Sequence, residues 1–319
     1  MKALVRERRL AAFAFVALLC LTFGTLSPSN AAPKMPVIGL VMKSLANEFF
    51  KTMEEGAVQY EKAQGNFKLI PLGMKNETDV DAQIGIVENL ITQKVDAIVI
   101  APADSTALVP PLKKALQAGI KVINIDVALD KNAMKQNGID LAFVGPDNRL
   151  GARLAGEYLA KALGAGGKAI IIEGNPGADN AKQRKAGFDD AVKSGKLNLL
   201  ASRTAHWETE EAFKVFSSLL TAYPDVQGVM CANDSEAIGV VQAIDAAGKT
   251  GKIKVVGFDN IAPAQKLLRE GKLLATVEQY GPKMAVFGIQ YAFKELNGES
   301  LKGWIKTPVK LITKENVGQ

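Results

Sequence analysis

The chain has 319 residues, with 39 Lys and Arg against 33 Asp and Glu, a formal charge of +6, one histidine and two cysteines. No basic block or Lys/Arg stripe interleaved with aromatics is present, which argues against a nucleic-acid surface. A lone histidine and no His/Cys cluster at metal spacing argue against a zinc site.

Residues 1–31 read as a secretory signal. Lys2, Arg6, Arg8 and Arg9 form a charged n-region, and 10–23 (LAAFAFVALLCLTF) form an apolar h-region. Ser29-Asn30-Ala31 then offers small residues at a cleavage site. The 14 apolar residues are too few for a bilayer span, which needs roughly 20. Leu19 stands before Cys20 where a lipid-attachment motif has a small residue. Cleavage removes four of the 39 basic residues and one of the 33 acidic ones, leaving 288 residues and a formal +3. That length is long for one core and predicts two domains. Only Cys231 remains, so no disulfide within the chain is expected.

Short apolar, β-branched runs at 37–41, 67–71, 97–100 and 121–125 read as strands buried on both faces. Helical patterns at 47–64, 79–93 and 104–117 lie between them, with Asn47, Thr78 and Asp104 as N-caps and Gly65 and Gly119 as stops. A second series begins after 143–145. Its strands read at 169–172, 198–201, 228–231, 254–257 and 274–277, and its helices at 147–163, 179–193, 208–222, 234–247 and 261–269. A last helix at 282–297 and a tail complete the chain. The predicted fold is α/β, with two doubly wound parallel sheets. The polar stretch 129–141 (LDKNAMKQNGIDL) is a candidate boundary between the series.

Ligands of open parallel sheets bind beyond the carboxyl ends of the strands. The residues found there are Lys43 and Asn47, with Phe49 and Phe50 as the helix opens; Asp126; Arg184 on the helix after 169–172; His206 and Trp207; Asn233; Asp259; and Gln279. Asp accepts hydrogen bonds, Arg and Lys donate them, and Asn and Gln do both. Such a mixture meets hydroxyls, which are donor and acceptor together, and flat aromatic faces suit the C–H faces of a sugar ring. Asp126, Asn233 and Asp259 could instead cap the helices that follow them. Of the two phenylalanines, Phe49 is the one expected to pack in the core. His206 has no metal partner and is expected to be solvated or to stand behind the contact residues. Gly248-Lys249-Thr250 lacks both the earlier glycine and the preceding strand of a phosphate-binding loop, and Gly164–Gly167 follows a helix rather than a strand.

Nine segments in order carry a family resemblance: KSLANEFF at 43–50, APADS at 101–105, NID at 124–126, GPDN at 145–148, RKAGF at 184–188, ASRTAHW at 201–207, CAND at 231–234, VGFD at 256–259 and ATVEQ at 275–279. The chain resembles the periplasmic sugar-binding proteins of ABC importers, of the ribose/allose type, over essentially its whole length after the signal. The resemblance implies two Rossmann-like lobes joined by a three-crossing hinge, an N-terminal lobe of 33–146 plus 281–306 and a C-terminal lobe of 147–280 plus 307–319. It implies that Asn47, Asp126, Arg184, Asn233, Asp259 and Gln279 contact hydroxyls, and that Phe50 and Trp207 sandwich the ring with Phe49 beside them. Lys43 matches the allose branch, whereas the ribose branch has serine. Val127 departs from the arginine of the ribose branch, and Phe50 from the tryptophan of the allose branch.

The expected function is capture of a monosaccharide by hinge closure and its delivery to a membrane permease. An allose-like pyranose hexose is favoured over ribose, an amino or deoxy sugar, or an alditol. No catalysis, cofactor, metal or nucleic acid is expected; the protein is expected to be a periplasmic monomer, and a chemoreceptor is a compatible further partner. The alternative of another class is a periplasmic enzyme acting on carbohydrate, with Asp126 and Asp259 as paired carboxylates. A sugar-responsive repressor would need a DNA-binding segment where the signal stands.

Overall fold

The computed structural model describes residues 35–319; the signal reading of 1–31 lies outside them. The first series runs β1 (Val37–Ser44), α1 (Glu48–Gln64), β2 (Lys68–Met74), α2 (Val80–Thr92), β3 (Ala97–Ile100), α3 (Val109–Gln117), β4 (Lys121–Ile125), α4 (Lys131–Asn137) and β5 (Phe143–Pro146). The second runs α5 (Asn148–Leu163), β6 (Lys168–Glu173), α6 (Asp179–Ser194), β7 (Asn198–Thr204), α7 (Thr209–Ala222), β8 (Gly228–Cys231), α8 (Asp234–Ala246), β9 (Lys254–Val256), α9 (Ala262–Glu270) and β10 (Ala275–Glu278). Helix α10 (Gly281–Leu296) and strands β11 (Trp304–Thr307) and β12 (Lys310–Thr313) follow.

The strands form two six-stranded sheets of one spatial design, β11-β5-β4-β3-β1-β2 and β12-β10-β9-β8-β6-β7. Every strand of the first sheet therefore has a counterpart in the second. The pairings among the described strands are parallel except for β12, which runs antiparallel to β10. Strand β3 is apolar throughout because helices cover both faces, and all four of its residues are buried. The chain passes between the sheets three times: after Pro146, between Glu278 and Gly281 where α10 returns to pack on β3 and β4, and between Thr307 and Lys310.

The structure departs from the sequence reading at several places. The stretch 129–141 is not a boundary. Asp130 caps α4, accepting from the Ala133 N–H at 2.7 Å, and β5 still belongs to the first sheet. Asp79 rather than Thr78 caps α2. Asp104 organises a turn, accepting from the N–H groups of Thr106 and Ala107, and α3 begins later at Val109. Pro110 and Pro111 lie in the first turn of α3, where a missing N–H costs nothing. The last two strands had no sequence signal of their own; both are short edge strands.

Helices α5 and α6 cross closely at Gly187. A Cβ there would lie 2.3 Å from the Arg149 carbonyl oxygen and 2.9 Å from the Ala152 Cβ. Backbone cannot yield cheaply, so overpacking of about 1–3 kcal/mol is expected. Gly187→Ala should lower the melting temperature by several degrees in a circular-dichroism melt; an unchanged transition would mean the helices separate without cost.

Candidate functional site

The carboxyl ends of both sheets border one tightly closed cavity, whose free interior of about 10 Å³ is roughly what a single water molecule needs. The ten residues Lys43, Asn47, Phe49, Phe50, Asp126, Arg184, Trp207, Asn233, Asp259 and Gln279 all line it. Glu77 and Asn180 join them.

Two acidic positions show how the folds build this wall. Asp126 follows β4 and Asp259 follows the equivalent strand β9. Each backbone N–H extends the ladder to the neighbouring strand, Asp126 to the Val144 carbonyl at 3.1 Å and Asp259 to that of Val277 at 2.7 Å. Each then turns with positive φ, 62° at Asp126 and 115° at Asp259. Aspartate tolerates the left-handed region better than most residues, and the turn carries its side chain to the strand end. Neither caps the next helix: α4 is capped by Asp130, and α9 starts after Ile261 without a side-chain cap. Asn233, by contrast, does cap α8. It accepts from the Glu236 N–H at 2.8 Å and donates to the Trp207 carbonyl at 3.3 Å. Asn47 likewise caps α1, accepting from the Phe49 N–H at 3.0 Å, and donates to Glu77 Oε1 at 2.9 Å.

Arg184 is buried and stacks 3.6 Å from the centre of the Phe258 ring. It donates to Asn148 Oδ1 and to the Ala232 carbonyl, both at 2.8 Å, and to Asp259 Oδ1 at 3.4 Å. Gln279 donates to the same Asp259 oxygen at 2.6 Å. Trp207 also has a left-handed backbone, φ 73°. It is held by Glu236 Oε1, which accepts from the Trp207 N–H at 3.0 Å, and its indole lies over Gly174, where any Cβ would approach ring atoms to 2.3 Å. Phe50 meets Phe49 edge to face at 5.1 Å, and Phe49 packs against Gly281. The Lys43 ammonium stands 5.5 Å from the Phe50 ring centre and 5.0 Å from that of Trp207, paired with Glu77 at 2.7 Å. His206 lies outside the lining and pairs with Glu211 at 2.9 Å. Cys231 is buried, its thiol pushed well above the usual range by desolvation.

Several buried polar atoms of the lining have no hydrogen-bond partner among the described residues: Asp126 Oδ1, Asn180 Oδ1, Gln279 Oε1 and Trp207 Nε1. Buried polar groups are nearly always paired in folded proteins, so four such acceptors, Glu77 Oε2 among them, and one donor on the cavity wall suit a ligand rich in hydroxyls. The cavity is closed by bonds across the cleft. The N-cap residue of α6, Ala178, has no capping oxygen; Ser105 of the first series supplies one, accepting from the Asp179 N–H at 2.9 Å. Ser105 also donates its own N–H to the Gly177 carbonyl. On the other side, Glu208 at the start of α7 leaves its own helix uncapped and accepts from the Glu77 N–H at 3.1 Å.

Sequence reasoning missed Glu77 and Asn180. Glu77 follows β2, whose true end at Met74 was hidden because the strand was stopped at Pro71. Proline is tolerated there because β2 is an edge strand. Asn180 precedes Arg184 by one helical turn on α6, a spacing that could have revealed it.

A polar cavity closed between two doubly wound sheets with three crossings defines a protein that engulfs a small molecule. The chain belongs to the periplasmic binding protein family, whose domain matches residues 38–300. It is 48% identical to the D-ribose/D-allose-binding protein of Pseudomonas aeruginosa, covering 98% of this chain and 99% of that one. A solved ABC transporter solute-binding protein of Burkholderia multivorans, with an unknown ligand represented as alpha-D-erythrofuranose, superposes with a TM-score of 0.85 at 50% identity. That match covers 87% of this chain and 99% of the other. One from Actinobacillus succinogenes with bound D-allose gives 0.83 at 39% identity, covering 88% and 98%.

Burial pushes the Asp259 carboxyl up to about 7, against the pull of Arg184 and with the help of Asp126. Burial likewise raises Asp126, and takes Glu236 to about 8. Between about pH 4 and 7 the folded chain thus keeps a proton on Asp259 that the unfolded chain releases, so stability falls as pH rises through that window. Urea denaturation without ligand should show lower stability at pH 8 than at pH 5, and Asp259→Asn should lose less over the same interval. An equal loss in both proteins would contradict the assignment.

Proposed function

We propose that this protein is the periplasmic receptor of an ABC importer, capturing one monosaccharide by hinge closure and handing it to the membrane permease. The moving bodies are 33–146 plus 281–306 and 147–280 plus 307–319, and residues 1–31 are a cleaved export signal. The observation that carries the reading is the lining itself: unpaired buried acceptors and a donor, drawn from both sheets and flanked by aromatic rings. A hydroxyl can donate to Asp126, Asn180 and Gln279 and accept from the Trp207 indole. Lys43, Asn47, Arg184, Asn233 and Asp259 add further contacts, and Phe50 and Trp207 face the ring with Phe49 beside them. The ligands named for the relatives, D-ribose and D-allose, support the same class.

Among sugars the reading favours a six-carbon pyranose aldose of allose type. Lys43 brings a charged donor for an exocyclic hydroxyl, and the buried Val127 places no polar group beside Asp126. The protein acts as a monomer without a cofactor, and a chemoreceptor is a compatible second partner. It is a binder rather than an enzyme, a reading that the relatives named for binding D-ribose and D-allose support.

Isothermal titration with D-allose, D-ribose and a six-carbon alditol tests the class and the sugar together. D-Allose should bind most tightly, with emission from Trp207 changing at saturation. Loss of a buried charged partner costs about 2–5 kcal/mol, so Asp126→Ala, Arg184→Ala and Asp259→Ala should each weaken binding at least tenfold. Wild-type affinity in two of the three would remove the site. Ribose binding tenfold more tightly than the hexose would leave only the broader class.

A further inference from the structure

We infer that Glu77 is a ligand contact in its own right, reading one sugar hydroxyl jointly with Lys43, and the residue that ties that reading to closure of the cleft. The inference rests on the reading of the cavity as a sugar site. Glu77 stands in the loop between β2 and α2, outside every segment that carried the family resemblance, and is 1% exposed. Its three polar groups have three separate tasks. Oε1 accepts from Asn47 Nδ2 at 2.9 Å. The backbone N–H donates across the cleft to Glu208 Oε1 at 3.1 Å. Oε2 lies 2.7 Å from the Lys43 ammonium, yet it has no directed hydrogen bond among the described residues. The contact is an ion pair at poor hydrogen-bond angles, which leaves the oxygen's lone pairs available to a donor within the cavity.

Chemistry then makes the pair specific. An ammonium only donates and a carboxylate only accepts, so the two side by side match a hydroxyl, which accepts from Lys43 and donates to Glu77. The position is fixed before ligand arrives. Glu77 holds the long stem of Lys43 over the Phe50 and Trp207 rings, so little side-chain freedom remains to be lost on binding. A site built around a hydroxyl rejects an analogue lacking it far more strongly than an apolar pocket rejects a missing methylene. The same backbone that carries the carboxylate anchors the second lobe through Glu208, so a shift of Glu77 is felt at the latch.

The test is isothermal titration of wild type, Glu77→Gln and Glu77→Asp with D-allose and its four singly deoxygenated ring and exocyclic derivatives at positions 2, 3, 4 and 6. Melting temperatures without ligand are recorded in parallel. Wild type should disfavour the derivatives relative to D-allose, and Glu77→Gln should lose the penalty for one of them alone while weakening D-allose at least tenfold. Glu77→Asp, which keeps the charge, should retain part of that penalty. A uniform loss across all derivatives would overturn the contact and leave Glu77 as a support for Lys43 alone. Unchanged affinity and discrimination would overturn it entirely. If wild type bound none of these sugars, the hexose reading would fail, and the inference with it.

Discussion

A guanidinium with 2% of its surface exposed persists in a protein interior only when its charge, its donors and its faces are all engaged. The second half of the cavity is organised around meeting that condition for Arg184. Phe258 lies against its face, Asn148 and the Ala232 carbonyl take its hydrogens, and the Asp259 carboxyl stands 3.4 Å away. These partners come from the start of α5 and the ends of β8 and β9. One side chain thereby fixes how those elements end relative to α6. Gln279 joins through the shared Asp259 oxygen, and it stands on the second passage between the sheets. The electrostatics of the wall thus reach directly into the segment about which the lobes would turn.

The first half meets a similar demand with a different pair. Lys43 and Glu77 are both buried, and each would be costly to bury without the other. Around the two pairs the equivalent strands β4 and β9 deliver Asp126 and Asp259 by the same turn. The cavity is therefore walled by two copies of one strand-end device, of which Asp259 meets a cation and Asp126 leaves its Oδ1 unpaired. Carboxylates outnumber cations among the lining residues, three to two. That excess agrees with the upward displacement of Asp126 and Asp259, because the wall is eased when one acid holds its proton.

How much of this was legible in the sequence depends on whether a local signal existed. The parallel strands stood out because burial on both faces makes them uninterrupted apolar runs, and the strand-end rule then led to ten residues that prove to share one cavity. It failed where a local pattern misreported the end of a strand. Pro71 truncated β2 and hid Glu77. The polar run around α4 resembled a linker because only Ala133 in that helix is buried. Strands β11 and β12 are specified by what they pair with, β5 and β10, more than by their own composition. Positive φ at Asp126, Trp207 and Asp259 had no residue-type signature either, since glycine occupies none of these positions.

The late return of the chain to both sheets has a consequence for how the molecule can be made. β5, at 143–146, waits for β11 at 304–307, and β10 waits for β12 at 310–313. A chain emerging from its N-terminus carries an open edge on the first sheet through the synthesis of some 160 further residues. Neither lobe is finished before the last few residues appear, so the two halves complete almost together. Truncation near the C-terminus would strip an edge from each sheet at once, and loop closure over so long a separation slows the final docking. The three passages of chain that join the sheets also make the two halves indivisible during folding.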